Sequence, residues 1–502
     1  MGTVISRDRD KSLYYTLDLN EKPLDRWISE SKHLLKTIER LDISRQDLVE
    51  LPPQITRITN LKYLQVYDNQ LKTLPKEIAK LNKLMVLLLN ENSVVELPPE
   101  IGFLTNLKIL DLRFNKLQNL PEQIGQLTNL QQLLLRFNKI EKLPDTISRL
   151  VNLQVLSVRN NRLNELTKSV NSLSQLSLLD LQHNSLSSLP DLNNLSMLKT
   201  LDLQYNQLNA LSSSIVSLSS LTSLHLKYNQ IAELPKNFGL LKELEELDLE
   251  SNRLSDLPSS LKELVKLKKL YLNRNNFVKL PKCMEYMTGV NELFLNSNNL
   301  SECNVLSKLT ALQTLNLSGN QFEEFPTCIR NLSLLRDLDL SNNNIAKIDD
   351  EQFFKNLGKL QTLNLSANAL SELSSDIGLL MSLEKLNLAE NQFQKLPIEI
   401  CNLSNLVELN LEENELEELP AQIGSLSSLE VLHVNRNLLK NLPNQVYLLP
   451  LKVFGIDNNP LDMIPRDIVE AGSQDTFNYL GRRLQNLEMW PDHQLNDETE
   501  LE

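Results

Sequence analysis

Three arginines and a row of aromatic residues recur at one fixed spacing in the first half of the chain. Arg113, Arg136 and Arg159 are each separated by 23 residues, and Phe114 and Phe137 directly follow the first two. Guanidinium groups bind carboxylates through paired hydrogen bonds. Aromatic residues beside arginines are typical of the strongest contacts in protein interfaces. The pattern therefore predicts non-covalent recognition of an acidic partner surface.

The candidate partner-binding set extends this pattern along the chain. It consists of Asp111, Arg113, Phe114, Arg136, Phe137, Arg159, His183, Tyr205, Lys227 and Tyr228. The alternative is that these are variable surface positions whose arginines are simply well solvated. We favour a function in partner binding for two reasons. Like charges on adjacent strands are unfavourable, and the arginine column and the aromatic column depart from ordinary variable surface residues in the same repeats.

The sequence contains none of the common residue patterns of catalytic sites. The five histidines are dispersed and none forms a pair with metal-ligand spacing, and the P-loop, H-E-x-x-H and G-x-S-x-G motifs are absent. We therefore expect no enzymatic activity, no cofactor and no metal site.

A short repeat determines where these side chains lie. The pattern L-x-x-L-x-L-x-x-N-x-L begins 19 times between Ile38 and Leu451, and 14 of the 18 intervals are 23 residues long. This is the leucine-rich repeat pattern. It predicts an α/β solenoid of horseshoe form, with a concave parallel β-sheet and helical end caps. Alternation along each strand directs leucines into the core and variable residues outward.

The asparagine of the repeat has a structural role of its own. Eighteen of the 19 units carry it, and Gln46 replaces it in the first unit. An amide side chain both donates and accepts hydrogen bonds. We expect these amides to bind the main chain where each strand ends, forming a ladder through the solenoid.

The ends of the chain depart from the repeat. The sequence predicts an N-terminal segment at 1–22, a capping helix at 23–37, the solenoid at 38–465, a second capping helix at 466–490 and an acidic tail at 491–502. The opening Met1–Ser6 fits the signature for N-myristoylation at Gly2, against the alternative of an accidental glycine. One such chain gives only transient membrane binding.

Composition narrows the class of protein. The formal net charge of −13 disfavours nucleic-acid binding, and no apolar run is long enough for a membrane helix. The N-terminus lacks the apolar core of a signal peptide, and the four cysteines do not cluster at the ends. We expect a reducing compartment and a cytoplasmic protein, with peripheral contact at the inner plasma membrane if Gly2 is lipidated.

The ordered hexads of the first half carry a family resemblance. The run DLRFN, LLRFN, SVRNN, DLQHN, DLQYN, HLKYN, DLESN from Asp111 to Asn252 resembles the Shoc/Sur-type leucine-rich-repeat scaffold of Ras–Raf signalling. LDIS at Leu41–Ser44 and NNPL at Asn458–Leu461 look like the two ends of that family. The resemblance implies a non-enzymatic scaffold whose concave face binds a GTP-loaded Ras-type GTPase and the catalytic subunit of protein phosphatase 1, regulating Raf and MAP-kinase signalling.

One family feature is absent. The family carries a lysine-rich extension with a phosphatase-docking segment of the R/K-V-x-F kind, and residues 1–37 contain no such segment. GTPase binding is therefore better supported than phosphatase binding. Two other functions stay open: a structural or cytoskeletal adaptor that binds a helix or peptide in its groove, and a ligand-recognition module of secretion or immunity.

Overall fold

The computed structural model describes residues 3–7, 13–17, 19, 23–348 and 353–489. The predicted lipidation site Gly2 and the predicted acidic tail lie outside these residues. The chain divides into two compact units, Met1–Leu267 and Lys268–Glu502. Each of the 19 predicted repeats contributes one short strand, ten in the first unit and nine in the second.

The first unit is a parallel sheet preceded by a hairpin. Its regular elements are β1 (Thr3–Arg7), β2 (Leu13–Leu17), α1 (Leu24–Glu30), β3 (Arg40–Asp42), β4 (Tyr63–Gln65), β5 (Val86–Leu88), β6 (Ile109–Asp111), β7 (Gln132–Leu134), β8 (Val155–Ser157), β9 (Leu178–Asp180), β10 (Thr200–Asp202), β11 (Ser223–His225) and β12 (Glu246–Asp248). Its return segments form the 3₁₀ helices Pro53–Arg57, Lys76–Lys80, Pro99–Phe103, Glu122–Gln126, Asp145–Arg149, Lys168–Ser172, Ser213–Ser217, Phe238–Leu240 and Ser259–Glu263.

The repeat leucines build the core as the alternation predicts. In the fourth repeat Leu107, Leu110, Leu112 and Leu117 are fully buried. Burial of a leucine side chain contributes about 2 kcal/mol. Proline residues such as Pro121 precede the 3₁₀ helices, where a missing N–H and a fixed φ are well tolerated.

The predicted asparagine ladder is confirmed in both units. Asn115 Nδ2 donates to the carbonyl oxygens of Leu89 (2.9 Å) and Leu112 (3.0 Å), and its Oδ1 accepts from the N–H of Val94 (2.9 Å). In the second unit Asn391 makes the same three bonds to the corresponding residues. Each amide therefore joins two consecutive repeats at the point where the strand ends.

The repeat pattern does not predict the hairpin at the start of the first unit. β1 pairs antiparallel with β2, and β2 pairs parallel with β3. Tyr15 and Leu17 of β2 are buried, as are Leu24 and Ile28 of α1, which lies within the segment 23–37. Both elements therefore cover apolar surface next to the first repeat.

The second unit repeats the same architecture and ends in two helices. Its regular elements are β13 (Lys269–Tyr271), β14 (Glu292–Phe294), β15 (Thr314–Asn316), β16 (Asp337–Asp339), β17 (Thr362–Asn364), β18 (Lys385–Asn387), β19 (Glu408–Asn410), β20 (Val431–His433), β21 (Val453–Gly455), α2 (Arg466–Ala471) and α3 (Ser473–Met489). Its 3₁₀ helices are Lys282–Tyr286, Asn304–Lys308, Thr327–Asn331, Phe354–Asn356, Ser375–Leu379, Ile398–Asn402, Ala421–Ser425 and Asn444–Leu448.

Helix α3 packs on the end of the second unit through aromatic contacts. The ring centre of Phe477 lies 5.1 Å from that of Tyr447 and 6.1 Å from that of Phe454, and Leu480 is fully buried. The helix thus covers apolar side chains of the last repeats.

A disulfide joins two neighbouring repeats of the second unit. It connects Cys303 and Cys328, whose Cα atoms are 6.3 Å apart. Cys283 and Cys401 are buried thiols, and burial raises the pKa of Cys401 to about 11. A structural disulfide is not expected in a reducing compartment. The cysteine pattern therefore does not support the cytoplasmic assignment.

Candidate functional site

Main-chain hydrogen bonds hold the predicted site residues in register across the first unit. After the strands end, the N–H of Phe114 donates to the carbonyl of Arg136 (2.8 Å), and the N–H of Phe137 donates to the carbonyl of Arg159 (2.9 Å). The same bond links His183 to the following repeat, and it recurs at Tyr205 and Tyr228. The arginine column and the aromatic column therefore lie side by side on the solvent face of the sheet.

A left-handed backbone places these two adjacent columns on one face. Strict alternation would direct consecutive residues to opposite faces. Phe114 and Phe137, however, have φ values of 54° and 56°. Every residue directly before the ladder position has positive φ, from Arg45 to Asn458. This column contains no valine, isoleucine or threonine, the side chains least compatible with such a backbone.

Arg113 is neutralised by its own chain. Its Nε and Nη2 atoms donate to the carboxylate of Asp111 at 2.9 and 2.6 Å, and the Asp111 side chain is only 4% exposed. The hydrogen bond that Arg113 donates to this carboxylate raises the pKa of Arg113. The sequence analysis predicted three equivalent guanidinium groups, but Arg113 contributes shape and hydrogen bonds more than free positive charge.

Arg136 is held by aromatic rings. Its guanidinium carbon lies 5.3 Å from the ring centre of Phe114 and 5.2 Å from that of Phe137, within the range of cation–π attraction. The two rings stack with centres 4.6 Å apart and are each 39% exposed. The buried Nε of Arg136 has no hydrogen-bond partner, and no carboxylate pairs with Arg136 among the described residues. This cation is therefore available to an acidic ligand.

Arg159 lies where the aromatic column is interrupted. Its Nε donates to Oδ1 of Asn160 (3.1 Å), which takes the place of an aromatic ring. The pKa of His183 in the next repeat is lowered, first by burial and then by the charge of Arg159. A neutral His183 can then stack on Tyr205 with ring centres 4.1 Å apart.

The column continues through two tyrosines to an ion pair. Tyr205 and Tyr228 stack with ring centres 4.6 Å apart. Lys227 pairs with Glu250 at 2.6 Å and lies 5.4 Å from the ring centre of Tyr228. Burial lowers the pKa of Lys227, but the hydrogen bond and charge of Glu250 outweigh burial and raise it. Like Arg113, Lys227 is thus paired within the chain.

A third column on the same face lies four residues before each ladder asparagine, and the predicted set includes only Asp111 from it. In β9 to β12 it contains Asp180, Asp202, His225 and Asp248. The strand registers place each of them opposite its neighbour in this row. The signal was present, because the repeat assigns this position to the solvent face.

Other site classes are not represented in the described part of the chain. No group of three or more His, Cys, Asp or Glu side chains there is arranged to hold a metal ion. Within those residues, no helix combines the length and apolar character that crossing a bilayer requires.

Comparison with known proteins agrees with this architecture. A family model described as a leucine-rich repeat region matches residues 87–161, 212–324 and 329–434. No curated protein matches the chain. A leucine-rich-repeat protein from Leptospira interrogans is similar, with 34% identity, a TM-score of 0.67, and coverage of 80% of this chain and 97% of that chain.

Two plant receptors are also similar in structure. The plant peptide hormone receptor RGFR1 in complex with RGF2 has 26% identity and a TM-score of 0.63, covering 91% of this chain and 82% of that chain. The Arabidopsis receptor kinase HAESA, in complex with the peptide hormone IDA and the co-receptor SERK1, has 25% identity and a TM-score of 0.57, covering 91% and 88%. With a family model that matches more than half of its residues, the chain belongs to the leucine-rich repeat family.

Proposed function

We propose that this protein is a non-enzymatic scaffold that binds a GTP-loaded Ras-type small GTPase through the solvent face of its first unit, and so regulates Raf and MAP-kinase signalling. Leucine-rich-repeat proteins generally act as protein-binding scaffolds, and the ordered hexads from Asp111 to Asn252 support this particular partner. One observation carries the proposal. Arg136 is a cation fixed on two aromatic rings with no carboxylate partner of its own among the described residues.

The geometry supports an anchor rather than a broad basic patch. Because Asp111 neutralises Arg113, the positive charge offered to a partner comes mainly from Arg136 and Arg159. The rings of Phe114 and Phe137 restrict the Arg136 side chain, which reduces the entropy lost on binding. Truncating one partner of a buried interfacial charge pair costs about 2–5 kcal/mol. One acidic residue of the partner, placed over Arg136, would therefore dominate the affinity.

The resemblance extends the proposal to the catalytic subunit of protein phosphatase 1 as a second partner. Residues 1–37 lack the docking segment of the family. The proposal assigns phosphatase binding to the repeats. The proposal places the complex in the cytoplasm, which requires Cys303 and Cys328 to be reduced there, and lipidation of Gly2 would direct it to the inner plasma membrane.

The proposal is tested by capture of Ras-family proteins loaded with GTP or GDP. Wild-type protein should retain the GTP-loaded form, and Arg136→Glu should weaken capture at least about thirtyfold, the lower end of the range for a buried pair. Arg149→Glu is a matched control, because Arg149 is an exposed arginine on a return segment. Equal capture of both nucleotide states, or equal losses in both variants, would refute the proposal.

A second candidate function is that of an adaptor that binds an extended peptide. It is favoured by the two plant receptors of similar structure, one a peptide hormone receptor with RGF2 bound and one in complex with the peptide hormone IDA. The two functions differ in their dependence on salt. Binding centred on Arg136 should weaken as ionic strength rises, whereas binding of a neutral peptide should not.

A further inference from the structure

A row of carboxylates, here called the acidic row, lies beside the tyrosines on the first unit. It consists of Asp180, Asp202 and Asp248. Asp180 and Asp202 are direct partners on neighbouring parallel strands, which are about 4.8 Å apart. His225 separates Asp202 from Asp248. Like charges placed opposite each other on adjacent strands are destabilising. This arrangement therefore has an energetic cost that the fold itself does not require.

The acidic row has no cation bonded to it within the described residues. Asp180 accepts hydrogen bonds from Ser157 Oγ (2.8 Å) and from the N–H of Gln182 (3.2 Å). Asp202 accepts from the N–H and Nε2 of Gln204. No ion pair of Asp180, Asp202 or Asp248 occurs in the described part of the chain. Burial raises the pKa of Asp202, and the charge of Asp180 adds to this effect.

The side-chain carbonyl of Gln182, next to Asp180 on this face, also lacks a hydrogen-bond donor. Gln182 is only 6% exposed, and its buried Oε1 has no hydrogen-bond partner. Leu181 is fully buried in the core. Because side chains alternate along a strand, Gln182 and Asp180 both lie on the opposite face. A buried carbonyl without a donor costs about 1–3 kcal/mol. The amide oxygen and the carboxylates therefore require the same thing, a ligand rich in N–H groups.

The aromatic stack completes the chemistry of this surface. His183, Tyr205 and Tyr228 stack in one column on the same face, and the column of Gln182, Gln204 and Lys227 lies between these rings and the acidic row. Because the rings stack on one another, the column presents mainly ring edges to a ligand. Of the common cations, guanidinium is the one that presents a planar fork of five donors, which matches carboxylate oxygens on neighbouring strands. A lysine ammonium presents a point charge and three donors.

We propose that the acidic row, with Gln182 Oε1 and the stacked rings, binds the guanidinium group of an arginine on an extended segment of a partner protein. The inference rests on the proposed function, because it takes the same face to be a protein-docking surface. It adds that this face is bipolar. The Arg136 end takes an acidic group, and the acidic row takes an arginine.

The test measures fluorescence anisotropy of a labelled Gly-Arg-Gly-Arg-Gly peptide with the full-length protein at low ionic strength. Matched peptides replace arginine by lysine or by citrulline, which has nearly the same shape without the charge. The arginine peptide should bind at least tenfold more tightly than the citrulline peptide and several-fold more tightly than the lysine peptide. Equal affinity for arginine and citrulline overturns the proposal, and equal affinity for arginine and lysine overturns the assignment to guanidinium.

Three variants locate the binding. Asp202→Asn should weaken the arginine peptide about tenfold without unfolding, because Asn410 at the same repeat position accepts the equivalent main-chain bond. Gln182→Met should weaken binding several-fold while leaving the protein at least as stable, since it removes an unpaired buried acceptor. Glu165→Gln removes an exposed charge from a return segment and should have no effect.

The outcomes separate this inference from the proposed function. Equal losses in Asp202→Asn and Glu165→Gln would show a non-specific attraction to an acidic protein and overturn the inference. Retained GTPase capture with no arginine-peptide binding overturns the inference alone. Arginine-peptide binding that depends on Asp202, with no GTPase capture, overturns the proposed partner alone.

Discussion

Replacing Phe137 by glycine should leave a more stable protein than replacing it by alanine. This reverses the usual order, because glycine loses more conformational freedom on folding and normally costs about 0.5–1 kcal/mol relative to alanine. Phe137 has a φ of 56°, in the left-handed region that side chains with a Cβ avoid. Both substitutions remove the ring and its stacking on Phe114, so their difference isolates the backbone.

The size of the reversal follows from two opposing contributions. A left-handed conformation costs a residue with a Cβ about 1–2 kcal/mol. Glycine escapes this cost but loses the usual 0.5–1 kcal/mol in conformational entropy. The Phe137→Gly protein should therefore be more stable than the Phe137→Ala protein, by up to about 1.5 kcal/mol. Gly319, at the same repeat position in the second unit with a φ of 62°, shows that the repeat accommodates glycine there.

Arg136 supplies the matched control one residue away. It has negative φ and lies on the same face of the same repeat. Arg136→Gly should be about 0.5–1 kcal/mol less stable than Arg136→Ala. Urea unfolding followed by circular dichroism gives the order of the four midpoints, and this order is the result that the comparison needs.

The order of the urea midpoints tests whether the left-handed backbone at Phe137 is strained. If Phe137→Ala unfolds at the same or a higher urea concentration than Phe137→Gly, the left-handed strain at this column is not real. The argument that Phe114 and Phe137 are retained there at a cost would then fail. If the order reverses at position 136 as well, glycine is tolerated throughout the turn and no strain is specific to the aromatic column.

Three further outcomes are expected. Asn115→Ala should destabilise the protein by about 1–3 kcal/mol in urea unfolding, because it leaves the N–H of Val94 without an acceptor, and Asn115→Asp should cost at least as much, because a carboxylate oxygen would replace the donating Nδ2 and face the carbonyl oxygens of Leu89 and Leu112. Reduction of the Cys303–Cys328 disulfide, which spans a sequence separation of 25, should lower the free energy of unfolding by about 3 kcal/mol, and an unchanged midpoint with reductant would contradict this. Asp202→Asn should raise the stability of the protein at neutral pH, and this gain should shrink as the pH falls towards 3.8. The pKa of Asp202 is raised in the folded protein, so its carboxylate destabilises the fold only when it is ionised. A gain in stability that is independent of pH would count against this.

Structural features that depend only on the repeat period are predicted well from the sequence. The buried pair Leu110 and Leu112, and the ladder role of Asn115, follow from alternation and from the chemistry of an amide. The Arg113–Asp111 pair was also accessible, since residues two apart on a strand share a face. It becomes apparent only when Arg113 is considered with Asp111 in the neighbouring column and not only with the other arginines.

Other features depend on information that the period does not contain. β1 and β2 form a hairpin outside the repeats, and their pairing with β3 is a tertiary contact with no periodic signal. The position of Arg136 over Phe114 and Phe137 depends on side-chain rotamers. The orphaned Oε1 of Gln182 becomes apparent only when its burial is known. The sequence therefore locates the face, whereas the chemistry of the face requires coordinates.

The distribution of energetic costs argues that this face is used. In the first unit the column with positive φ carries bulky rings, and Asp180 lies opposite Asp202 beside a buried acceptor without a donor. In the second unit the same column has the same left-handed backbone but carries no aromatic ring, its residues ranging from Gly319 to Glu413 and Arg436. Both units share one repeat, so the architecture does not impose the rings or the paired carboxylates. Exposed rings and opposed carboxylates that the repeat does not require are expected where a ligand offsets their cost.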